Sequence, residues 1–350
     1  MDRILFVCNS VSIGGAERVV SILADEMIER DTEIFLLGFI KTDDSYLKDK
    51  RVRVIIAEKG KGNVSAKLIR ITAIRKAIKE HNITTVIAFS HYNAMYSVIA
   101  ARGLNVKVIG SERNDPAQVG NRKVLNWLRM RLYENLDALV CQTDDAKAYF
   151  PEEIQKKSVV ILNPITDSLP APYQGERKHR VVSFSRLEPQ KNIPMLLEAF
   201  EIFRKSHPDY VLDIYGMGSL RDELIEKTKD NPSIHIQPYT IDIHNAILDA
   251  SMFCLSSDYE GMSNSMIEAM GCGIPTIVTD CPCGGARMVI NDGENGILVP
   301  VRDSKKLAKA MCRVADDKGL AEKLSREGLK IRETLDKKKI AEQWEAVIAF

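Results

Sequence analysis

Short apolar runs alternate along this chain with longer stretches whose apolar residues recur at helical spacing, and the alternation occurs twice. Residues 4–8 are an apolar run that reads as a buried strand. A polar loop ending in Gly14-Gly15 follows, then a predicted helix from Ala16 to about Arg30 with Val19, Val20, Ile22, Leu23 and Met27 on one face. Further strands are predicted at residues 33–39, 52–56, 85–89, 106–110 and 138–141, with helical stretches between most of them. Residues 163–179 (NPITDSLPAPYQGERKH) are rich in proline and polar side chains and lack periodicity, which predicts an interdomain linker. Beyond it, strands are predicted near 181–185, 211–215, 234–237, 252–255, 276–278 and 296–299. The pattern predicts an α/β chain of two domains, each a parallel, doubly wound sheet. We place them at residues 1–165 and 180–335, followed by a terminal helix, 336–350, with Ile340, Trp344, Val347 and Ile348 on one face.

Composition narrows the function. At 350 residues the chain suits two domains, and 45% hydrophobic with 28% charged residues is ordinary for a globular protein. A net charge of +1 gives no case for nucleic acid. The balance is uneven, because residues 1–170 hold 25 Lys/Arg against 21 Asp/Glu, a net +4 that leaves −3 for the rest. Seven cysteines, mostly in apolar runs and without a C-x2-C pair, fit buried thiols in a reducing cytoplasm. Cys281-Pro-Cys283 reads as a loop rather than a metal site, and no metal is expected. The chain enters a strand at Ile4 without a signal-peptide pattern, and no apolar run approaches the ~18–20 residues needed to span a bilayer. The expected location is cytoplasmic, with any membrane contact peripheral. Two stretches suggest such contact. Residues 59–79 carry seven basic residues and no acidic one, and residues 121–133 interleave Arg122, Lys123, Arg129 and Arg131 with Leu125, Trp127, Leu128, Met130 and Leu132. Both patterns suit an anionic lipid surface, or else a helix with a solvated basic face.

The densest candidate chemistry lies at residues 256–273, SSDYEGMSNSMIEAMGCG. A strand end opens there into a loop with Asp258 and Glu260, Gly261 allows a turn, and Ser263 or Asn264 can cap a short helix. A strand end leading straight into a helix N-terminus suits an anionic ligand in an open α/β sheet. Glu268, one turn into the helix, can accept hydrogen bonds from a diol such as a ribose. The alternative is a capping box, Ser265-x-x-Glu268, that ties down the helix start. Upstream, SRLEPQKN places Arg186 and Lys191 in a loop before the helix 193–205, where two cations and a helix end can neutralise a diphosphate without a metal. Tyr215-Gly216-Met217-Gly218 is a G-x-G turn after the next strand, weak as a signal by itself. In the first domain, His91 and the run Ser111-Glu112-Arg113-Asn114 follow strand ends, and Gly14-Gly15 leaves room for a phosphate or sugar at a helix start.

The spacing of Glu260 and Glu268 resembles the E-x7-E signature of family 4 retaining glycosyltransferases, whose fold is GT-B: two doubly wound Rossmann-like domains with an interdomain cleft. DYEGMxNxxxEAM followed by TDCPCGG is similar to the branch that builds bacterial surface glycans on lipid carriers, and GGAER and R-x4-K match further family loops. The resemblance covers nearly the whole chain. It implies a UDP-sugar donor, of N-acetylhexosamine or galactose type, and a lipid-linked saccharide acceptor at the inner membrane face, as in capsule, exopolysaccharide or O-antigen synthesis. It implies Glu268 on the ribose, Arg186 and Lys191 on the diphosphate, and Glu260 near the sugar. Gly14, Gly15, Gly216, Gly261, Met262, Ser263 and Asn264 would complete the donor site, with His91, Glu112 and Arg113 on the acceptor side and no metal or other cofactor. It also implies a terminal helix that crosses back to the first domain. The chain departs from the family at Pro238-Tyr239, where relatives usually have glycine, at Met288, where many have glutamate, and in the SERN loop, where many have histidine. A GT-B phosphorylase, a sugar-nucleotide epimerase and a non-catalytic nucleotide-sugar-binding protein are the rival readings.

Overall fold

A computed structural model describes residues 2–11, 14–30, 32–40, 46–47, 49–57, 63–119 and 122–349, the side chains of 63–65 excepted. The chain divides into two compact units, Met1–Pro164 together with Lys337–Phe350, and Ile165–Asp336.

The first unit contains β1 (Arg3–Val7), α1 (Gly15–Ile28), β2 (Glu33–Gly38), β3 (Arg53–Ile56), α2 (Asn63–Glu80), β4 (Thr85–Phe89) and α3 (His91–Ala101). It continues through β5 (Lys107–Ser111), α4 (Lys123–Tyr133), β6 (Ala138–Cys141), α5 (Asp144–Ala148), α6 (Glu152–Gln155) and β7 (Ser158–Val160). Its seven strands run β3-β2-β1-β4-β5-β6-β7, and every neighbouring pair is parallel. Central strands of such a sheet are covered on both faces, which is why β4 and β6 are buried at every position. The seventh strand was not anticipated: β7 is three residues long, too short for periodicity to register.

The second unit contains β8 (Lys178–Phe184), α7 (Ile193–Arg204), β9 (Val211–Tyr215), α8 (Arg221–Thr228), β10 (Ile234–Gln237), α9 (Ile243–Ile247), β11 (Ala250–Leu255) and α10 (Asn264–Gly271). Then come β12 (Thr276–Thr279), β13 (Ile297–Val299), α11 (Ser304–Asp316), α12 (Lys318–Gly328) and α13 (Ile331–Thr334). The strand order is β10-β9-β8-β11-β12-β13, again parallel throughout. Both units are therefore doubly wound, as the alternation predicts. The proline-rich stretch is less of a free linker than its composition suggests. Ile165 and Leu169 are buried, the Ile165 amide donates to Leu335 O at 2.8 Å, and both side chains pack over Gly271.

The terminal helix α14 (Lys337–Ala349) packs on the first unit. Ile340, Ala341, Trp344 and Ile348 share a core with Phe6 of β1, Leu23 and Met27 of α1, and Ile87 and Phe89 of β4. The Trp344 ring stacks on Phe89 with centroids 5.7 Å apart. Polar ties flank this contact: Lys337 Nζ to Glu26 at 2.8 Å, Arg30 to Glu345 at 2.5 Å, and Lys107 Nζ to Ile348 O at 2.6 Å. Truncating a fully buried tryptophan typically costs about 3–5 kcal/mol. Trp344→Ala is therefore expected to destabilise the first unit by that amount in chemical denaturation, whereas Trp344→Phe loses clearly less. Equal stability of Trp344→Ala and the native chain would show that α14 adds little to this core.

Candidate functional site

In the second unit the sheet grows in opposite directions from β8 and β11, which lie side by side. Loops leaving two such strands diverge, and the crevice at their carboxyl ends is where open α/β sheets take ligands. The loop after β8 holds Arg186 and Lys191, and the loop after β11 holds Glu260.

These loops are stitched together. Asp258 N donates to Gln190 O at 2.9 Å, Asn192 Nδ2 donates to Asp258 Oδ1 at 2.8 Å, and Gln190 Nε2 donates to Tyr259 O at 2.8 Å. Ser256 Oγ donates to Lys191 O at 2.9 Å. The Pro189–Lys191 turn ends at Asn192, which adopts left-handed backbone (φ 43°) and whose side chain caps α7 by accepting from Met195 N at 3.3 Å.

This frame brings Lys191 and Glu260 into direct contact, Lys191 Nζ donating to Glu260 Oε1. Glu260 also accepts from Ser257 Oγ at 2.7 Å and from Gln190 Nε2 at 3.2 Å. The pair is largely withdrawn from water, Lys191 being 7% exposed. A buried ion pair needs such added hydrogen bonds to offset desolvation. Arg186 points differently: it is exposed and has no ion-pair partner among the described residues. The two predicted clamp cations thus differ in setting, one held inside the loop frame and one in solvent.

Ser263, not Ser265, is the N-cap of α10, its hydroxyl accepting from Met266 N at 3.4 Å. That register rules out the capping-box reading of Glu268, which lies further into the helix. Glu268 is buried, and its Oε2 lies 2.9 Å from His244 Nε2, on α9. Gly261 and Met262 are buried beside the cap, and Asn264 opens the helix. Close packing from the TDCPCGG segment fixes this loop, since a Cβ on Gly285 would lie 1.6 Å from Gly261 O. Glu260, Gly261 and Ser263 line a small recess with Leu255, Thr279 and Cys281. Burial pushes the Cys281 thiol up to about 12, so it stays protonated near neutral pH.

Gly216 also has a packing reason. A Cβ there would lie 2.0 Å from Ser185 O, so the G-x-G turn presses on the loop that carries Arg186. Glu188 joins the same loops, its carboxylate accepting from Ser219 N at 3.0 Å and Ser219 Oγ at 2.7 Å. Among the described residues, no group of three or more His, Cys, Asp or Glu is arranged to hold a metal ion.

The candidates of the first unit are more scattered. Gly14 and Gly15 stand at the start of α1, where the Glu17 carboxylate covers Gly14: an added Cβ would lie 2.1 Å from Glu17 Oε2. His91 opens α3, and burial holds its pKa below the usual histidine range, favouring the neutral ring. Glu112 turns inward, bonded to Arg129 at 2.9 Å and to the Tyr133 hydroxyl, and is buried. That contact also removes Arg129 from the basic face expected on α4, because its side chain is fully buried. Arg113 packs over Phe89 and bonds to Asn163. Lys59 and Lys61 lie outside the described residues.

Ser257, Gln190 and His244 were not anticipated, although each touches a predicted acidic residue. Ser257 and Gln190 adjoin motif residues, and that adjacency was the available signal. His244 had none, because the contact joins two separate helices.

Comparison with known proteins relates this chain to glycosyltransferases. The family model Glycosyltransferase Family 4 matches residues 13–169, and Glycosyl transferases group 1 matches residues 168–331. An uncharacterized glycosyltransferase of Haemophilus influenzae is 24% identical over 349 residues, covering 98% of each chain. A Campylobacter jejuni α-1,4-N-acetyl-D-galactosaminyltransferase, whose name specifies a saccharide acceptor on PP-undecaprenol, is 26% identical over 358 residues, covering 100% of this chain and 99% of that one. Among solved structures, Anabaena HepE with UDP and glucose superposes with a TM-score of 0.85 at 16% identity, covering 100% of both chains. Staphylococcus aureus TarM with UDP gives 0.81 at 14% identity, covering 99% of both.

The His244–Glu268 contact is testable by itself. Deleting one partner of a buried hydrogen bond to a charged group costs about 1–3 kcal/mol. His244→Ala is expected to lower the thermal stability of the second unit correspondingly. A variant as stable as the native chain would show the contact to be energetically idle.

Proposed function

Because the chain belongs to the family 4 glycosyltransferases, with the GT-B fold, we propose that it moves a sugar from a UDP-sugar to a lipid-linked saccharide with retention of configuration. The observation that carries the reading is the Lys191–Glu260 pair at the sheet's switch point, one short helix from Glu268. In this reading the donor is an N-acetylhexosamine or galactose type, and the product feeds a bacterial capsule, exopolysaccharide or O-antigen. The lipid-linked acceptor is supported by the Campylobacter relative's name, and the UDP donor by the ligands of the HepE and TarM structures.

Each residue has a physical task. The Glu268 carboxylate takes the ribose hydroxyls while His244 holds its other oxygen. Arg186 reaches the diphosphate from solvent. Lys191 has three N–H donors, so it can keep Glu260 and still bond a phosphate oxygen. The amides from Gly261 to Asn264 at the start of α10 add their partial positive charge. As the bond from sugar C1 to phosphate oxygen breaks, negative charge grows on UDP and positive charge on the sugar ring. The cations meet the first, and Glu260 meets the second. The acceptor hydroxyl forms its bond to C1 on the face UDP leaves, and a phosphate oxygen takes its proton. In this scheme the protein's cations do the work of a metal.

No helix among the described residues is long and apolar enough to cross a membrane, and the membrane reading rests on exposed side chains of the first unit. Along α4, Val124 (81% exposed), Trp127 (62%) and Leu128 lie open beside exposed Arg122, Lys123 and Arg131. On α2, which packs beside α3 as α4 does, Leu68, Lys67, Lys76 and Lys79 are also exposed. Apolar side chains ringed by cations suit peripheral docking on an anionic inner-membrane face.

Groups aimed at growing charge should lower kcat when removed, whereas groups that hold the unchanging ribose should raise the donor KM. Lys191→Ala and Arg186→Ala are expected to lower kcat about 100- to 1000-fold, the usual loss for one preorganised charge-stabilising contact. Glu260→Gln should lower kcat as well, while Glu268→Gln chiefly raises the donor KM. EDTA should change little. UDP release measured across a panel of UDP-sugars with membrane lipid extract decides the matter; wild-type turnover by Lys191→Ala, or abolition by EDTA, would sink the mechanism.

A separate test addresses docking. Each basic residue near an anionic surface contributes about 1 kcal/mol, so binding to phosphatidylglycerol vesicles should weaken with added salt. Trp127→Ala with Lys123→Glu should release the protein at salt concentrations the native chain tolerates. Co-sedimentation indifferent to lipid charge would refute the membrane face.

A further inference from the structure

The first unit turns two arginines inward, Arg129 fully buried and Arg113 half-buried, and treats them differently. Arg129 has a carboxylate: Glu112 lies 2.9 Å away, and the Tyr133 hydroxyl bonds the same oxygen. Arg113, the residue after that glutamate, has none. Its Nη1 donates to Ser111 Oγ at 3.4 Å and its Nη2 to Asn163 Oδ1, and its Cζ lies 5.0 Å from the centre of the Phe89 ring. All three partners are neutral, and no carboxylate comes within ion-pair distance of Arg113 among the described residues. Burial is deep enough to press its pKa down to about 9. The ionisable groups that act on it are the buried thiols of Cys8 and Cys141.

Holding a half-buried guanidinium among neutral partners without an anion is unfavourable, and a neutral side chain would fill the place at lower cost. The neighbours orient Arg113 without neutralising it. Gln142 Nε2 donates to Asn163 Oδ1 at 2.6 Å, which fixes the oxygen that Arg113 meets. Two of the five guanidinium donors are thereby used, and three remain for a forked contact to an oxyanion. A second polar group stands at the end of the adjacent strand. Ser90, which follows Phe89 and whose amide donates to Ser111 O at 3.0 Å, has left-handed backbone (φ 94°) and a buried hydroxyl without a partner among the described residues. Strain and an unsatisfied hydroxyl at a strand end are features that a bound ligand would relieve.

We propose that Arg113, supported by Ser90, anchors a phosphate-type oxyanion carried by the acceptor. The assignment to the acceptor rests on the transferase reading above, in which the donor's diphosphate is met by Arg186 and Lys191 of the other unit. A lipid diphosphate supplies the required chemistry, two adjacent phosphoryl groups beyond the reacting sugar.

The test is titration calorimetry on the full chain, with geranyl diphosphate as the probe and an Arg186→Ala/Lys191→Ala background to remove the donor clamp. Adding Arg113→Gln should weaken geranyl diphosphate binding at least 10-fold, Arg113→Lys should weaken it less, and geraniol should bind none of the variants measurably. UDP binding to the clamp-intact chain should be unchanged by Arg113→Gln, and its melting temperature should stay level or rise because an unpaired charge has gone. Unchanged geranyl diphosphate affinity, equal affinity for geraniol, a 10-fold loss of UDP binding, or a lowered melting temperature would each overturn the proposal. The readout needs no turnover. If no UDP-sugar is consumed but geranyl diphosphate affinity follows Arg113, the transferase reading fails alone; if transfer proceeds and affinity ignores Arg113, this site fails alone.

Discussion

A lysine ammonium and a glutamate carboxylate in contact below the surface are the constraint around which the second unit's loops are arranged. Each ion in isolation would lose several kcal/mol of hydration, and breaking a buried pair commonly costs about 3–5 kcal/mol. The loops after β8 and β11 offset this by surrounding the pair with neutral donors, Ser257 and Gln190, and by tying Asp258 to Asn192. The close approach of Gly285 to Gly261 and of Gly216 to Ser185 holds those loops from outside. For the proposed transfer, a frame held by these contacts leaves little reorganisation for the moment of reaction, which is the condition under which electrostatic stabilisation is most effective.

The first unit handles charge by the opposite rule. Glu112 neutralises Arg129 inside the protein, and Arg113 is left oriented without a carboxylate among the described residues. A stability cost of this kind is commonly concentrated where function needs it. The surrounding core can carry that cost. Seven parallel strands and the inserted Trp344 of α14 bury a large apolar surface around Phe6 and Phe89, the ring on which Arg113 rests. The terminal helix thus belongs to the same packed structure as the strand that carries Phe89.

How much of this was legible beforehand follows from the range over which each signal acts. Alternation of apolar runs and helical faces is local, and it sufficed for two doubly wound units, because strands covered on both faces must be apolar throughout. The motifs around Arg186, Lys191, Glu260 and Glu268 were legible for a similar reason: each spans one loop and one helix start. Short β7 escaped because three residues carry no period, and residues 165–169 passed for a free linker because Ile165 and Leu169 find their partners at Gly271 and Leu335.

Contact across the fold was what the sequence could not specify. The sequence by itself determined the layers, the loops at the strand ends and the residue types available there. Tertiary structure decided that Lys191 meets Glu260 while Arg186 stays in solvent, that Ser263 caps α10, and that His244 reaches Glu268 from another helix. It also decided that Glu112 pairs with Arg129 and that its neighbour Arg113 meets no carboxylate among the described residues. Secondary structure follows from patterns a few residues long. An ion pair or an uncompensated charge depends on which side chains the packed sheet and helices bring within a few ångströms, and on how much water they exclude.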